Sequence, residues 1–465
     1  MRDHRRLGEL PDTRTAYNDV LRIALPSIAE MVLMSLIGSA DTIMVGQLGK
    51  NALASVALPG QPRMIMLSIF FALNVGVTAI VARRRGEERR EAANLTLRNA
   101  IVLALGMSVV VMTTVIILAE PLMRLAGGNT STPDDAKVLK DATTYYVIMA
   151  YALPINAVSM CINAALRGVG NTKITMQVNI ISNLVNVCFN YLLIGGNFGF
   201  PRLEVAGAAI ASVIGMVFGA ILSFLAVLRG DAYLHVSLKD SWRIDGPTMR
   251  SIIKVGGNAM VEQLSMRFGF FMYSRIIYGL GVALFAAHNI CMQFLNLSFS
   301  FADGLGIAGT SLVGQNLGAK RPDRALLYAK ITQRLAIVVS VMIAVPLAVF
   351  RVPLTSLFLD PATPHAATVL RNAADTMLIV ALMQPFQMSA VVLSGSLRGA
   401  GDNLFVASVM GVCVSIIRPL MAMLAVYVFK LDLAMTWLLS MSEMGIRVFL
   451  FYRRFEGDKW MFKRV

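Results

Sequence analysis

Apolar runs of membrane-spanning length, repeated along the whole chain, are the feature that most limits its fold. A transmembrane helix needs about 20 predominantly apolar residues, and charged residues make up only 15% of this chain, below the roughly 25% typical of soluble domains. The sequence therefore predicts an all-α polytopic membrane protein with twelve transmembrane helices. The predicted spans lie near 17–40, 53–82, 95–119, 143–165, 174–195, 204–228, 250–278, 284–314, 327–350, 374–397, 404–427 and 433–452.

The net charge of +15 is concentrated in basic clusters at alternate ends of these spans. Lysine and arginine are enriched in the cytoplasmic connections of membrane proteins. The pattern thus predicts a multi-pass protein of the plasma or inner membrane with both termini in the cytoplasm. It indicates membrane orientation rather than nucleic-acid binding. The clusters are Arg2–Arg6, Arg83–Arg90, Lys239–Lys254, Lys320–Arg334 and Arg453–Arg464.

The two halves of the chain resemble each other. Leu312–Gly318 lies 232 positions after the similar segment Ile80–Gly86, and Leu397–Asp402 lies 231 positions after Leu166–Asn171. Six spans are an even number, so both copies enter the membrane in the same orientation, as parallel repeats do. This predicts two six-helix lobes related by a pseudo-two-fold axis. The predicted division is an N-terminal lobe, 1–228, a cytoplasmic linker, 229–249, and a C-terminal lobe with a basic tail, 250–465.

Polar side chains inside the spans are the candidates for function. Asp41 lies in span 1, and an acid within the membrane costs roughly 2.5–3.5 kcal/mol, so it requires a partner, a proton or an ion. One face of span 5 carries amides that suit a monovalent cation next to a carboxylate, or that form hydrogen bonds between helices. These amides are Asn179, Asn183, Asn186 and Asn190.

The second half carries a different set of polar residues. Glu262 occupies the repeat position of Glu30, whereas the repeat position of Asp41 is Tyr273. Span 8 has a polar face with the same two interpretations as span 5. That face consists of Asn289, Gln293, Asn296, Ser300 and Asp303.

Four motifs occur in order along the chain, at Asp41–Gly49 (DTIMVGQLG), Leu166–Thr172 (LRGVGNT), Val313–Ala319 (VGQNLGA) and Leu397–Asp402 (LRGAGD). Together with twelve spans, they resemble the MATE (multidrug and toxic compound extrusion) transporters over nearly the whole chain. The resemblance implies a secondary antiporter that exports organic, often cationic or lipophilic compounds in exchange for Na⁺ or H⁺ by alternating access.

The resemblance also implies roles for particular residues. The ion-coupling site would consist of Asp41, Asn186, Asn190 and Ser212, with the first three as candidate ligands of Na⁺. The resemblance also points to Glu262 and Gln387 as candidates for substrate binding or for coupling in the second lobe. Further candidates for these roles are polar residues within the spans: Asn163, Asn289, Gln293 and Asp303. Gln387 stands where some members of the family carry an aspartate.

A flippase for a lipid-linked saccharide or another amphiphile is the alternative function. Such a protein should line its cavity with basic residues, and the spans contain few of them: Arg267, Arg275 and Arg418. The chain has no phosphate-binding loop, no paired-cysteine or H-E-x-x-H metal motif and no acidic cluster suited to a metal–diphosphate. We therefore expect no enzyme and no cofactor besides the coupling ion. The expected partners are small organic molecules and the lipid bilayer, and a monomer suffices.

Overall fold

Long helices account for nearly all of the structure, a computed structural model that describes residues 7–229, 233–237, 239–359 and 365–463. The basic cluster Arg2–Arg6 and part of the predicted linker, 230–232 and 238, lie outside the described residues. Within the described ranges no strand is found. The helices are α1 Thr13–Gly46, α2 Lys50–Ala57, α3 Gly60–Gly86, α4 Arg90–Leu125, α5 Pro133–Tyr151, α6 Leu153–Gly168, α7 Thr172–Gly195, α8 Glu204–Leu228, α9 Gly246–Tyr278, α10 Val282–Gly318, α11 Pro322–Val349, α12 Arg351–Ser356, α13 Ala366–Gly399, α14 Asn403–Val412, α15 Arg418–Met423, α16 Leu433–Met441 and α17 Glu443–Glu456.

The helices confirm the predicted membrane architecture. Among the described residues, ten helices or helix combinations are long and apolar enough to cross a bilayer, and the pair α5–α6, bent by 52°, adds an eleventh. The remaining predicted span corresponds to α9, a continuous helix of 33 residues. Its apolar sequence is interrupted by the polar residues Glu262, Gln263 and Arg267. The chain is therefore an all-α polytopic protein with twelve helical spans.

The sequence repeat reappears in the positions of the helix ends. Helices α3 and α10 end at Gly86 and Gly318, and α6 and α13 end at Gly168 and Gly399, with the same shifts of 232 and 231 as the sequence. Two residues later, Gly170 and Gly401 both adopt positive φ, 83° and 86°, a conformation that glycine adopts without steric cost. The repeated L-R-G-x-G motif thus ends a helix in the same way twice.

The first glycine of this motif also permits close helix packing in both halves. A Cβ on Gly168 would lie 2.7 Å from the backbone oxygen of Thr78, and a Cβ on Gly399 would collide with that of Thr310. Both threonine hydroxyls donate across the same contact, Thr78 to Ala164 at 3.0 Å and Thr310 to the equivalent backbone oxygen at 2.8 Å. Small residues of this kind let transmembrane helices approach closely.

The chain forms two compact units. The first-half unit comprises Ala29–Met260, and the second-half unit comprises Met1–Ile28 with Val261–Val465. The units thus divide inside α1 and α9. The lobe boundaries 1–228 and 250–465 remain a prediction.

Within the first-half unit, the connection that leads into α9 contacts the first turns of α4 and the end of α3, where Arg84 donates to the Thr248 hydroxyl at 3.0 Å. The side chains of Asn94 and Asn99 accept hydrogen bonds from the backbone nitrogens of His235, at 3.0 Å, and Asp245, at 2.9 Å. The Asp245 carboxylate in turn accepts from the backbone of Thr248 at 2.9 Å. Hydrogen bonds from the side chain and backbone of Thr248 lower the pKa of Asp245 below its usual 3.8. The start of α9 is therefore capped and anchored.

Candidate functional site

Two acidic residues lie three helical turns apart on one face of α1. Glu30 and Asp41 are 11 residues apart, and an α-helix completes three turns in about 11 residues. Three of the four predicted asparagines on the neighbouring face of α7 meet these two acids. The first, Asn179, donates to Glu30, whereas the last two, Asn186 and Asn190, meet Asp41. Asn183, between them, donates to a backbone oxygen of its own helix at 2.7 Å.

Asp41 is half-buried and is held by neutral donors. The amide nitrogen of Asn190 donates to Asp41 Oδ1 at 2.7 Å. Amide orientations are assigned from the hydrogen-bond network, and one orientation of Asn186 gives all of its polar atoms partners. In it, the nitrogen donates to Asp41 Oδ1 at 3.0 Å and Oδ2 at 3.1 Å, and the oxygen accepts from N and Oγ of Ser212, both at 3.1 Å. Four residues predicted in three separate spans are thus brought together.

Packing at the end of α1 positions this carboxylate. Val45, one turn after Asp41, is buried in a cluster with residues of α5, α7 and α8. Helix α8 approaches α7 closely at Gly215, where a Cβ would lie 2.8 Å from the Ser182 backbone oxygen. This close approach lets Ser212 of α8 reach Asn186 of α7.

The other acid of α1, Glu30, has a cationic partner. Glu30 is 1% exposed, and Arg167 donates to its Oε1 at 3.1 Å. The hydroxyl of Thr175 donates to Oε2 at 3.0 Å, and Asn179 donates to Oε1 at 2.7 Å. Glu30 is therefore a neutralised and fully hydrogen-bonded carboxylate.

The second-half unit repeats this ion pair. Glu262, 2% exposed, is bonded to the guanidinium of Arg398. Both partners are the repeat positions of Glu30 and Arg167. Both the glutamates and the L-R-G motifs recur in the sequence, so their repetition was visible there. The motif alone does not predict that its arginine pairs with the glutamate.

The remaining predicted residues do not join the Asp41 group. Asn163 is buried and accepts from Ser223 Oγ at 3.2 Å, and Gln387 is buried with its amide nitrogen 3.5 Å from the Leu295 backbone oxygen. The residues on α10 lie on its exposed face. They are Asn289, Gln293 and Asp303. Their roles, like those of the Asp41 group, stay predictions.

Twelve spans in two repeated halves, with a buried glutamate paired to an arginine in each half, are the architecture of a polytopic membrane transporter. The sequence model of the MatE family matches residues 26–192 and 259–424, which is more than half of the chain. The chain belongs to the MatE family. As a member of a transporter family, it is not an enzyme.

Similar proteins cover nearly the whole chain. A probable multidrug resistance protein NorM of Thermotoga maritima is 26% identical over 460 residues, which are 97% of this chain and 94% of that protein. The multidrug resistance protein MdtK of Edwardsiella ictaluri is 27% identical over 399 residues, 83% of this chain and 82% of that protein. The structure of a MOP superfamily transporter from Pyrococcus furiosus matches with a TM-score of 0.87 at 19% identity, over 96% of this chain and 97% of that chain. This last likeness concerns the fold.

Proposed function

We propose that the protein is a secondary antiporter that exports organic, cationic or lipophilic compounds in exchange for Na⁺ or H⁺, with Asp41 as the coupling carboxylate. The relatives named as multidrug resistance proteins support the substrate class. In this proposal the protein lies in the plasma or inner membrane, with both termini in the cytoplasm, and works as a monomer.

The observation that carries the proposal is the contrast between Asp41 and the paired glutamates. Glu30 and Glu262 each have an arginine partner, whereas the hydrogen-bond donors to Asp41 found among the described residues are neutral amides. A carboxylate beside a fixed guanidinium is already neutralised, so it has little need of a second cation. Arg63 acts on Asp41 electrostatically, but no ion pair to Asp41 is found among the described residues, so this carboxylate can gain and lose a cation or a proton during a cycle.

One neutral oxygen next to Asp41 is available to a hard monovalent cation. Asn190 is 1% exposed, and its amide oxygen has no hydrogen-bond partner among the described residues. A buried acceptor without a partner costs about 1–3 kcal/mol, and a bound cation would recover part of that cost. A proton on Asp41 would likewise remove the charge of the carboxylate.

Coupling follows if ion and substrate favour different conformations or compete for the same acid. Ion binding neutralises Asp41 and thereby removes its attraction for a cationic substrate. Release of the ion on the other side of the membrane restores the charge. The ion gradient then drives the substrate outward without ATP.

The test is efflux of a fluorescent cationic dye from proteoliposomes under an imposed Na⁺ or H⁺ gradient. We expect Asp41→Asn to abolish gradient-driven efflux at unchanged expression. The matched control is Asp134→Asn, which removes an exposed carboxylate from the first turn of α5 and should leave efflux intact. Full efflux by Asp41→Asn would overturn the assignment.

The flippase alternative gains no support from the arrangement of the basic residues. It requires Arg267, Arg275 and Arg418 to line one cavity. Arg418 is 0% exposed and is paired with Glu443 at 2.5 Å, so its charge is used inside the second-half unit.

A further inference from the structure

An unbalanced positive charge is buried in the second-half unit. Arg418 and Arg447, 0% and 2% exposed, both contact the carboxylate of Glu443, which is 0% exposed. The distances to Glu443 are 2.5 Å from Arg418 Nη2 to Oε1 and 2.7 Å from Arg447 Nε to Oε2. Two guanidinium groups share one carboxylate, so one positive charge is left over. Burying an uncompensated ion costs several kcal/mol.

One end of Arg418 is free for another partner. Its Nε and Nη2 donate to Glu443, but its Nη1 has no hydrogen-bond partner among the described residues. The guanidinium carbon also lies 4.8 Å from the ring centre of Phe270. An unpaired buried donor on a charged group calls for an explanation such as a bound ion.

Two further buried donors without a partner belong to the same core. These are the Tyr273 hydroxyl and the Trp437 indole N–H, on residues that are 0% and 1% exposed. Their ring centres are 6.2 Å apart. The Ser440 hydroxyl is close enough to Tyr273 to accept a hydrogen bond from it, while its own proton goes to the Thr436 backbone oxygen, so an anion must compete with Ser440 for the Tyr273 proton.

Helix geometry places Arg418 in the same part of the second-half unit as these donors. Phe270, which lies under Arg418, is three residues before Tyr273 and so shares its face of α9. Ala422, one turn after Arg418 on α15, packs in one buried cluster with Tyr273 and Trp437. The charge of Arg418 also acts on the Tyr273 hydroxyl.

The backbone around Arg418 is unusual in the same region. Arg418 and Pro419 lie between two π-helical segments, Cys413–Ile417 and Leu424–Val428. Proline lacks an N–H and disturbs the helix before it, and π-helical turns occur frequently at functional sites.

We propose that the second-half unit binds a small monovalent anion, such as chloride, between the Arg418 guanidinium, the Tyr273 hydroxyl and the Trp437 indole N–H. All three groups donate hydrogen bonds, and the surrounding net charge is positive, which repels cations. All three side chains are buried, which favours a small ion over a large one. Tyr273 is the repeat position of Asp41, so the two halves carry sites of opposite polarity at the same place.

The test is a bromide titration of the purified full-length protein in detergent, followed by tryptophan fluorescence. Sodium is held constant and gluconate replaces bromide, so that neither ionic strength nor Na⁺ at Asp41 changes. We expect saturable quenching that chloride competes away. Tyr273→Phe should raise the half-saturating bromide concentration about tenfold, the effect of losing one hydrogen bond to a charged group.

Arg418→Gln is the stronger test, because it removes the excess charge while Glu443 keeps Arg447 as its partner; saturation should then disappear. If that variant does not fold, Tyr273→Phe decides. Tyr278→Phe, at a position 51% exposed on the same helix, is the matched control and should behave as wild type. Quenching that rises linearly without saturation, or a half-saturation that Tyr273→Phe leaves unchanged, would overturn the proposal.

Discussion

Replacing Glu262 by glutamine separates the two roles that a carboxylate can have in this fold. If Glu262 is a structural partner of Arg398, the variant should lose stability and keep ion-coupled transport. If it is a second-lobe coupling group, as its repeat position and family resemblance allow, transport should fail instead. Asp41→Asn should show the opposite result, with lost coupling and nearly unchanged stability.

The size of the stability loss follows from the exposure of the two partners. The Glu262 side chain is 3% exposed and the Arg398 side chain 20%. Arg398 also acts electrostatically on Asp303, so Glu262→Gln leaves a guanidinium with partial access to solvent and a second acid. We expect a cost of about 1–3 kcal/mol, the range for an unsatisfied buried group. Arg398→Met leaves a buried carboxylate without a cation and should cost about 3–5 kcal/mol.

The assay combines thermal unfolding in detergent with gradient-driven dye efflux measured well below the unfolding midpoint. The double variant Glu262→Gln with Arg398→Met serves as the control, because it removes both charges and should be more stable than Arg398→Met alone. A Glu262→Gln protein with wild-type stability and no efflux would refute the structural assignment and place Glu262 in the coupling mechanism.

Three further perturbations test other parts of the structure. Asn190→Ala should weaken binding of the coupling ion about tenfold, because it removes a charge-assisted contact; the measurement is the Na⁺ or H⁺ dependence of efflux. Asn183→Ala, which alters a hydrogen bond within α7, should have no effect. Gly399→Ala should destabilise the protein by about 1–3 kcal/mol through overpacking against Thr310, measured by thermal unfolding. Gly445→Ala, where a Cβ meets nothing within 4 Å, should be neutral or stabilising. Equal effects of the two substitutions would contradict the packing argument. Because Thr248 lowers the pKa of Asp245, this cap stabilises the fold above pH 4 and is lost as the pH falls, so the difference in unfolding midpoint between wild type and Asp245→Ala should shrink below about pH 4.

The sequence by itself determined the membrane class, the spans and the internal repeat. These depend on the local run length of apolar residues and on motif recurrence, which do not require knowledge of which helices touch. Helical periodicity was also sufficient to place the four asparagines of α7 on one face. The family resemblance named Asp41 and its partners, and the structure brings those four residues together.

Only the tertiary structure decided which polar groups pair. Periodicity gives the face of a helix but not the neighbour that this face contacts. It therefore did not show that Asn179 donates to Glu30 whereas Asn190 donates to Asp41. Periodicity also did not predict the ion pair between Glu30 and Arg167, 137 residues away, or the buried ion pair between Arg418 and Glu443. In a membrane these pairings set the cost of every charge, because a side chain without water depends on its partners. A carboxylate therefore pairs with an arginine at Glu30, whereas the carboxylate of Asp41 is hydrogen-bonded by neutral amides and is the coupling group that we propose.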